Sequence, residues 1–384
     1  MLNKNISFLL ACIWLYGSSC SGLKVASGKT SNTISSLVFL SEKDIPFNQL
    51  FKGTTIGGLS GIDYNVASDR YYLISDDRSA INAARFYTAR VIINNSKIDT
   101  VIFLSVDSLK TTDGLTYPNI KQDPQHTPDP EAIRFNSNNK TLVWTSEGER
   151  IVNANTTVLT NPSITIIDSK GKLLDTFLLP SQLKMTKEES GPRQNGALEG
   201  LTFADDFKTL YVNVEEPLYQ DGPRATLLLN NAWIRIIKFN MGNQKPTAQY
   251  AYQLDPVAYP SNPVNAFQVN GAPDILSVQY NQLLVIERSF STGRLACTIK
   301  VFLVNLTDAE DISNNNSLIT KPPLKPVKKT LLLNMDTLGI YTDNIEGVTF
   351  GPDLPNGHKT LVFVSDNNFS ILEKTQFLLF EIIP

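Results

Sequence analysis

The sequence predicts an all-β protein, a β-propeller of five four-stranded blades. Three observations predict it. A hairpin-like unit recurs along the chain at a nearly constant period. Two further strand-like runs follow each copy. The last unit ends one strand short, while an unassigned strand-like run stands near the N-terminus.

The first unit opens with Ser60-Gly-Ile-Asp-Tyr64 and closes with Tyr71-Tyr-Leu-Ile-Ser-Asp76. The second runs from Glu131-Ala-Ile-Arg-Phe135 to Leu142-Val-Trp-Thr-Ser-Glu147, and the third from Glu199-Gly-Leu-Thr-Phe203 to Leu210-Tyr-Val-Asn-Val-Glu215. From first residue to last, each spans a step of 16. The unit from Glu346-Gly-Val-Thr-Phe350 to Leu361-Val-Phe-Val-Ser-Asp366 spans 20, because its turn is longer. Polar turns at 65–69, 136–140 and 204–208 are flanked by aromatic and β-branched residues, as a hairpin requires. In an antiparallel hairpin the start of one strand lies beside the end of the next. Glu131 is therefore expected near Glu147, and Glu199 near Glu215.

Outer strands follow at 84–93 and 98–106, at 163–168 and 173–179, and at 233–239 and 247–254. A weaker fourth unit opens at Asp274 and runs through Leu283-Leu-Val-Ile-Glu287, with outer strands at 298–305 and 329–334. The unit starts (Ser60, Glu131, Glu199, Asp274, Glu346) are separated by 71, 68, 75 and 72 residues. Four strands per unit at a steady period is a propeller signature. The period exceeds the ~40–50 residues usual for a blade, and the excess lies in connectors such as 107–130 and 181–198. The run 34–40 is expected to complete the last blade and close the ring, leaving no exposed edge. Six blades stay open if a connector hides an irregular unit.

A closed ring of this length is one domain, placed at 33–384. A formal charge of −3 and a pI near 5.6, with no basic run, argue against a nucleic-acid partner. A monomer is expected. Lys4 precedes the apolar run 6–16, and Gly17-Ser-Ser-Cys20 follows. This has the layout of a secretory signal segment over 1–20. Small residues before Cys20 resemble a lipoprotein processing site, although Gly17 stands where leucine is usual. Export is expected, to a periplasmic or outer-surface location or by simple secretion. The membrane is met only through a lipid anchor at Cys20. Cys297 would then be the sole cysteine left, which excludes an internal disulfide; it is expected as a buried small hydrophobe.

In a propeller the loops entering the first strand and leaving the second open on one face. The repeated acids then converge on one mouth of the channel: Asp76, Asp77, Glu131, Glu147, Glu199, Glu215, Glu216, Glu287, Glu346 and Asp366. Two like charges ~4 Å apart at an effective dielectric near 20 repel by about 4 kcal/mol. Protons, basic partners or a bound cation must offset this. All-oxygen ligands favour Ca²⁺ or Mg²⁺. Arg78, Arg150 and Arg288 stand beside the motifs. A cation together with arginine suits an anionic ligand. For any single acid, a structural lock between blades is the competing reading. Glu131, Glu199 and Glu346 are the foremost metal candidates, because they share one repeat position.

Other chemistries have little footing. The chain has only His126 and His358 and no HExxH segment. Gly57-Gly-Leu-Ser-Gly61 lacks the spacing of a nucleophile elbow.

Several stretches resemble the phytase-like family described as "esterase-like activity of phytase". They are Gly57-Gly-Leu-Ser-Gly-Ile-Asp-Tyr64, Tyr71-Tyr-Leu-Ile-Ser-Asp-Asp-Arg-Ser79, Ala84-Arg-Phe-Tyr87, Pro128-Asp-Pro-Glu-Ala-Ile133, Asn195-Gly-Ala-Leu-Glu-Gly200 and Asn344-Ile-Glu-Gly-Val-Thr349. The resemblance covers nearly the whole chain after the signal segment. It implies a β-propeller and an exported hydrolase of phosphate or other esters. The expected reaction uses a divalent cation, Ca²⁺ foremost, held by Glu131, Glu199 and Glu346. Arg78 and Arg288 would hold a small anionic ester, with Asp76, Glu147, Glu215 or Asp366 as general base. A non-catalytic surface-binding propeller and a lactonase-type Ca²⁺-dependent hydrolase remain the alternatives.

Overall fold

The computed structural model describes residues 34–384. The expected signal segment, Cys12 and Cys20 lie outside the described residues. Five antiparallel sheets form the blades of a propeller, each built on four strands, with a fifth short strand in blade 4. Blade 1 comprises Leu59–Asn65, Arg70–Ser75, Arg85–Asn94 and Lys97–Ser108. Blade 2 comprises Pro130–Asn136, Thr141–Ser146, Ser163–Ile167 and Leu173–Thr176. Blade 3 comprises Leu198–Ala204, Thr209–Val214, Trp233–Asn240 and Lys245–Gln253. Blade 4 comprises Ile275–Gln279, Gln282–Ser291, Thr298–Asn305 and Lys328–Asn334, with Gln268–Gly271 extending its inner edge. In blade 5, Asn344–Phe350, Thr360–Asp366 and Thr375–Ile383 are joined by Ser36–Ile45 as the outermost strand. The N-terminal strand thus closes the ring, as the missing strand required. Two short hairpins had no sequence forecast: Leu50–Phe51 with Thr54–Thr55, and Glu149–Val152 with Thr157–Thr160.

Strand alternation explains why the core divides into interfaces between blades. Each strand turns one set of side chains to the preceding blade and the other to the next. Ile62, Leu73 and Tyr87 of blade 1 pack with Val362, Val364 and Phe377 of blade 5. Ile74 and Phe86, facing the other way, pack with Ile133, Leu142 and Trp144 of blade 2. The other three interfaces repeat the scheme. Cys297 is buried among the apolar side chains between blades 4 and 5. Burying each such large side chain stabilises the fold by roughly 1.5–3 kcal/mol.

Polar locks add register. Asp63 Oδ2 accepts from Phe135 N at 2.7 Å, Thr202 Oγ1 from Ser277 N at 2.9 Å, and Thr349 Oγ1 from Tyr64 N at 3.1 Å. These residues stand three places after Ser60, Glu199 and Glu346, so the repeat reuses one position to join consecutive blades.

A buried ion pair fills the centre of the ring. Arg134 Nη2 donates to both carboxylate oxygens of Asp274, at 2.9 and 2.8 Å, and to the Ile275 and Val348 carbonyls at 3.2 Å. Its Nη1 donates to the carbonyls of Ile62 and Ile133. Asp274 Oδ2 also accepts from Val348 N at 2.8 Å. One arginine therefore ties blades 1, 2, 4 and 5. Blade 3 reaches the same point through Gly200, where an added Cβ would come within 2.5 Å of the Asp274 Cα. Because the obstacle is backbone, Gly200→Ala should destabilise the protein by about 1–3 kcal/mol, the usual range for overpacking. Urea unfolding measures it, and an unchanged midpoint would show that the inner strands can separate freely there.

Candidate functional site at the channel mouth

The repeated acids owe their aim to a repeated irregularity. Strand register skips between Pro130 and Ile133, between Leu198 and Leu201, and between Ile345 and Gly347. Glu131, Glu199 and Glu346 occupy those skips. Ser60 occupies the equivalent skip between Leu59 and Gly61. A bulge leaves its extra residue unpaired and re-aims the side chain.

The second set sits at the ends of the second strands. Register pairs Ile62 with Leu73, Ile133 with Trp144, Leu201 with Val212, Ile275 with Val285 and Val348 with Phe363. Three residues beyond each partner stand Asp76, Glu147, Glu215, Arg288 and Asp366. Blade 4 thus places a cation where its neighbours place a carboxylate. Two residues before the shared pair, blade 4 carries Pro273 where others carry an acid or Ser60.

Two sequence expectations are corrected by this register. Asp274 is not the repeat's first acid; it stands one position further on and enters the central pair with Arg134. Glu287 does not face the mouth. It is buried between blades, accepting from Tyr252 Oη (2.6 Å), Asn270 Nδ2 (2.7 Å), Asp255 N (2.9 Å) and Lys329 Nζ (2.6 Å). Asp77 is likewise structural: it pairs with Arg85 at 2.7 Å and accepts from the amides of Ala80, Ile81 and Asn82. Glu216 pairs with Arg224 beside the mouth.

The remaining acids meet. A cavity of about 350 Å³ at the mouth is lined by nine carboxylates and two arginines. Asp76, Glu131, Glu147, Glu199, Glu346, Asp366 and Arg288 are all among them, and Asp129, Asp343 and Glu373 complete the acidic set. Asp129 was missed in the sequence, although it stands two residues before Glu131. Carboxylate oxygens of Asp129, Glu131 and Glu147 lie within 4.8 Å of one another, as do those of Glu147, Glu199 and Glu215. Glu147 belongs to both trios. The foreseen trio Glu131, Glu199 and Glu346 does not close to this distance. Glu346 instead accepts from Asn344 Nδ2 at 2.9 Å and lies 3.7 Å from Arg288.

Side chains around these acids are fixed by backbone partners. The Ala197 amide donates to Glu147. Ser60 Oγ and Thr145 Oγ1 each donate at 2.6 Å to the main-chain carbonyls of Glu131 and Glu199. Arg288 Nη2 donates to Glu215 at 2.6 Å, and its buried Nε meets no acceptor among the described residues. Arg78, the other arginine expected to hold an anion, is 2.9 Å from Glu149 and 3.4 Å from Asp129. It is not among the residues that line the cavity.

Crowding and burial raise the pKa of the nine carboxyls that line the cavity. Burial, then the charges of Glu199, Asp129 and Glu147, hold the Glu131 carboxyl well above the usual range. Burial, with Asp129 and Glu215, does the same to Glu147, and burial with Glu147 and Glu215 to Glu199. Glu346 is pushed up to about 8, by burial and by Asp366. Burial lifts Asp129 to about 7 against the pull of Arg78. The Asp76 and Asp366 carboxyls are in hydrogen-bond contact. Burial and Asp366 raise Asp76 far above its ordinary value, whereas Asp366, also raised by burial, stays at about 6.

A profile of the family described as "Phytase-like: Esterase-like activity of phytase" matches residues 54–369. A search of curated proteins finds no match. Among solved structures, a GH43 β-1,3-galactosidase with galactodeoxynojirimycin is similar at 11% identity and a TM-score of 0.48, covering 88% of this chain and 94% of that one. A thermostable family-43 glycoside hydrolase is similar at 12% identity and a TM-score of 0.45, covering 87% and 92%. A gluconolactonase from Xanthomonas campestris is similar at 11% identity and a TM-score of 0.35, covering 91% and 89%.

Proposed function

The chain belongs to the phytase-like family, and from that premise we propose an exported hydrolase of phosphate or other esters that uses a divalent cation at the channel mouth. One observation carries the reading: nine carboxylates from several blades face two arginines in a single cavity. Their donor atoms are all oxygen, which suits Ca²⁺ or Mg²⁺ and not a softer metal. Asp129, Glu131 and Glu147 would hold one cation, or Glu147, Glu199 and Glu215 would, with Ca²⁺ foremost. When bound, the cation supplies a Lewis acid that polarises the ester oxygen and lowers the pKa of a water.

The chain's own residues divide the remaining work. Arg288 offers Nε and Nη1 to the anionic part of the ester while Glu215 fixes its plane. Asp366, at about 6, is ionised at neutral pH and is the best-matched general base. Asp76 keeps its proton and donates it toward Asp366, holding that carboxylate in place. Glu346 approaches the same Arg288 nitrogen as Glu215, Nη2, at 3.7 Å, and helps to hold it in place.

Hydrolysis of phosphomonoester, phosphodiester, carboxylester and lactone panels should be measured with Ca²⁺, with Mg²⁺ and after chelation. One ester class should turn over with a cation and stop without it. In that class Asp366→Asn should lower kcat by roughly 10²–10⁴-fold. A folded protein with no turnover on any panel would overturn the hydrolase reading and leave a binding propeller.

A further inference from the structure

Beside the acidic mouth lies a second cavity, of about 410 Å³, of opposite character. Arg150, Arg193, Arg224 and Arg288 line it with Glu215 and Glu216. Four guanidiniums face two carboxylates, so two positive charges lack a partner. Tyr219 orders the group. The Arg150 guanidinium carbon lies 4.9 Å from its ring centroid and that of Arg193 lies 4.3 Å from it.

Backbone carbonyls hold the planes. Arg193 donates from Nε to Pro217 O and from Nη2 to Gly222 O, both at 2.9 Å. Arg150 donates to the carbonyls of Thr186, Lys187 and Glu188. Arg224 reaches Glu216 through Nε alone. Among the described residues, Nη1 of Arg193 and both terminal nitrogens of Arg224 have no acceptor. Burial, then the charge of Arg224, lowers the Arg193 pKa, which fits an uncompensated cluster. Such preset, planar donors around surplus positive charge match the oxygens of a tetrahedral dianion.

We propose that the cavity formed by Arg150, Arg193, Arg224 and Tyr219 is an anion-binding subsite for a phosphate or sulfate group. It shares Asn195 and Arg288 with the acidic mouth, so one molecule can occupy both. The consequence for substrate rests on the hydrolase reading above: the ester carries a second anionic group next to the one that reacts.

Calorimetric titration of the full chain in chelator separates the two readings, because no cation then holds an anion at the acidic floor. Inorganic phosphate and sulfate should each bind one saturable site. Arg224→Gln should weaken that binding at least tenfold. Arg90→Gln removes an equal charge on blade 1, where Arg90 lies 3.6 Å from Asp69, and should leave binding unchanged. Absence of saturable binding by either anion, or equal weakening in both variants, would overturn the subsite. Hydrolysis without anion binding would sink this pocket alone, and anion binding without hydrolysis would sink the hydrolase reading alone.

Discussion

Arg134→Ala should cost about 3–5 kcal/mol of stability at pH 8, the range for breaking one partner of a buried ion pair. Asp274, fully buried, would lose its counter-ion, and the Ile62, Ile275 and Val348 carbonyls would lose a donor. The loss must depend on pH. Burial raises Asp274 to about 6 even though Arg134 pulls it down, so desolvation outweighs pairing. Below that value Asp274 is protonated in the unsubstituted protein too, and the gap between the two proteins should narrow. Urea unfolding at pH 5.5 and 8 measures both effects. A loss under about 1 kcal/mol at pH 8 would mean that the pair does not brace the ring. Replacing both partners by apolar side chains should recover part of the loss, since a buried pair is often no better than well-packed hydrophobes.

That pair also marks where the sequence stopped being readable. Hairpins and blade count followed from the 16-residue unit, because alternating strands and polar turns leave a regular trace. Ring closure by Ser36–Ile45 followed from counting strands. Blade 4 defeated the same method. An acid at nearly the right spacing, Asp274, passed for the repeat's first position, and Glu287 for its second. Each was one residue from the residue that occupies the place, and in a strand a slip of one turns a side chain to the opposite face. Only cross-strand register, Ile275 opposite Val285, fixes the frame and brings Arg288 into the ring of mouth residues. Arg134 was invisible for a different reason. It stands where other units carry Asp63, Thr202 or Thr349, and nothing local says that it reaches Asp274, 140 residues away. Asp76, Glu131, Glu147, Glu199, Glu346 and Asp366 were legible because bulges and strand ends repeat, whereas Asp129, Asp343 and Glu373 stand outside those repeat positions. Which oxygens approach closely enough to share an ion was not legible, because that depends on how far each bulge tilts its residue.

The stability of the cation-free protein should fall as pH rises from about 5.5 to 8.5, and a divalent cation should reverse the trend. The sign follows from where the acids titrate. Asp366 at about 6, Asp129 at about 7 and Glu346 at about 8 all lie above their ordinary values of 3.8, 3.8 and 4.5. A carboxyl with a raised folded-state pKa adds stability below its unfolded pKa and loses it as pH climbs through the folded one. A tenfold change in proton affinity is worth about 1.4 kcal/mol, so across these groups the loss is on the order of several kcal/mol. Protonated carboxyls make poor ligands, so cation affinity should grow over the same interval. A cation at a hundred times its dissociation constant adds about 2.7 kcal/mol. Calorimetric melting in chelator should therefore show Tm dropping by several degrees toward alkaline pH. With millimolar Ca²⁺ the curve should flatten or rise, and the two curves should diverge most at the alkaline end. Coincident curves across the whole range would remove the cation from the proposed chemistry, and a chelator curve that stays flat would show that these acids do not titrate over it.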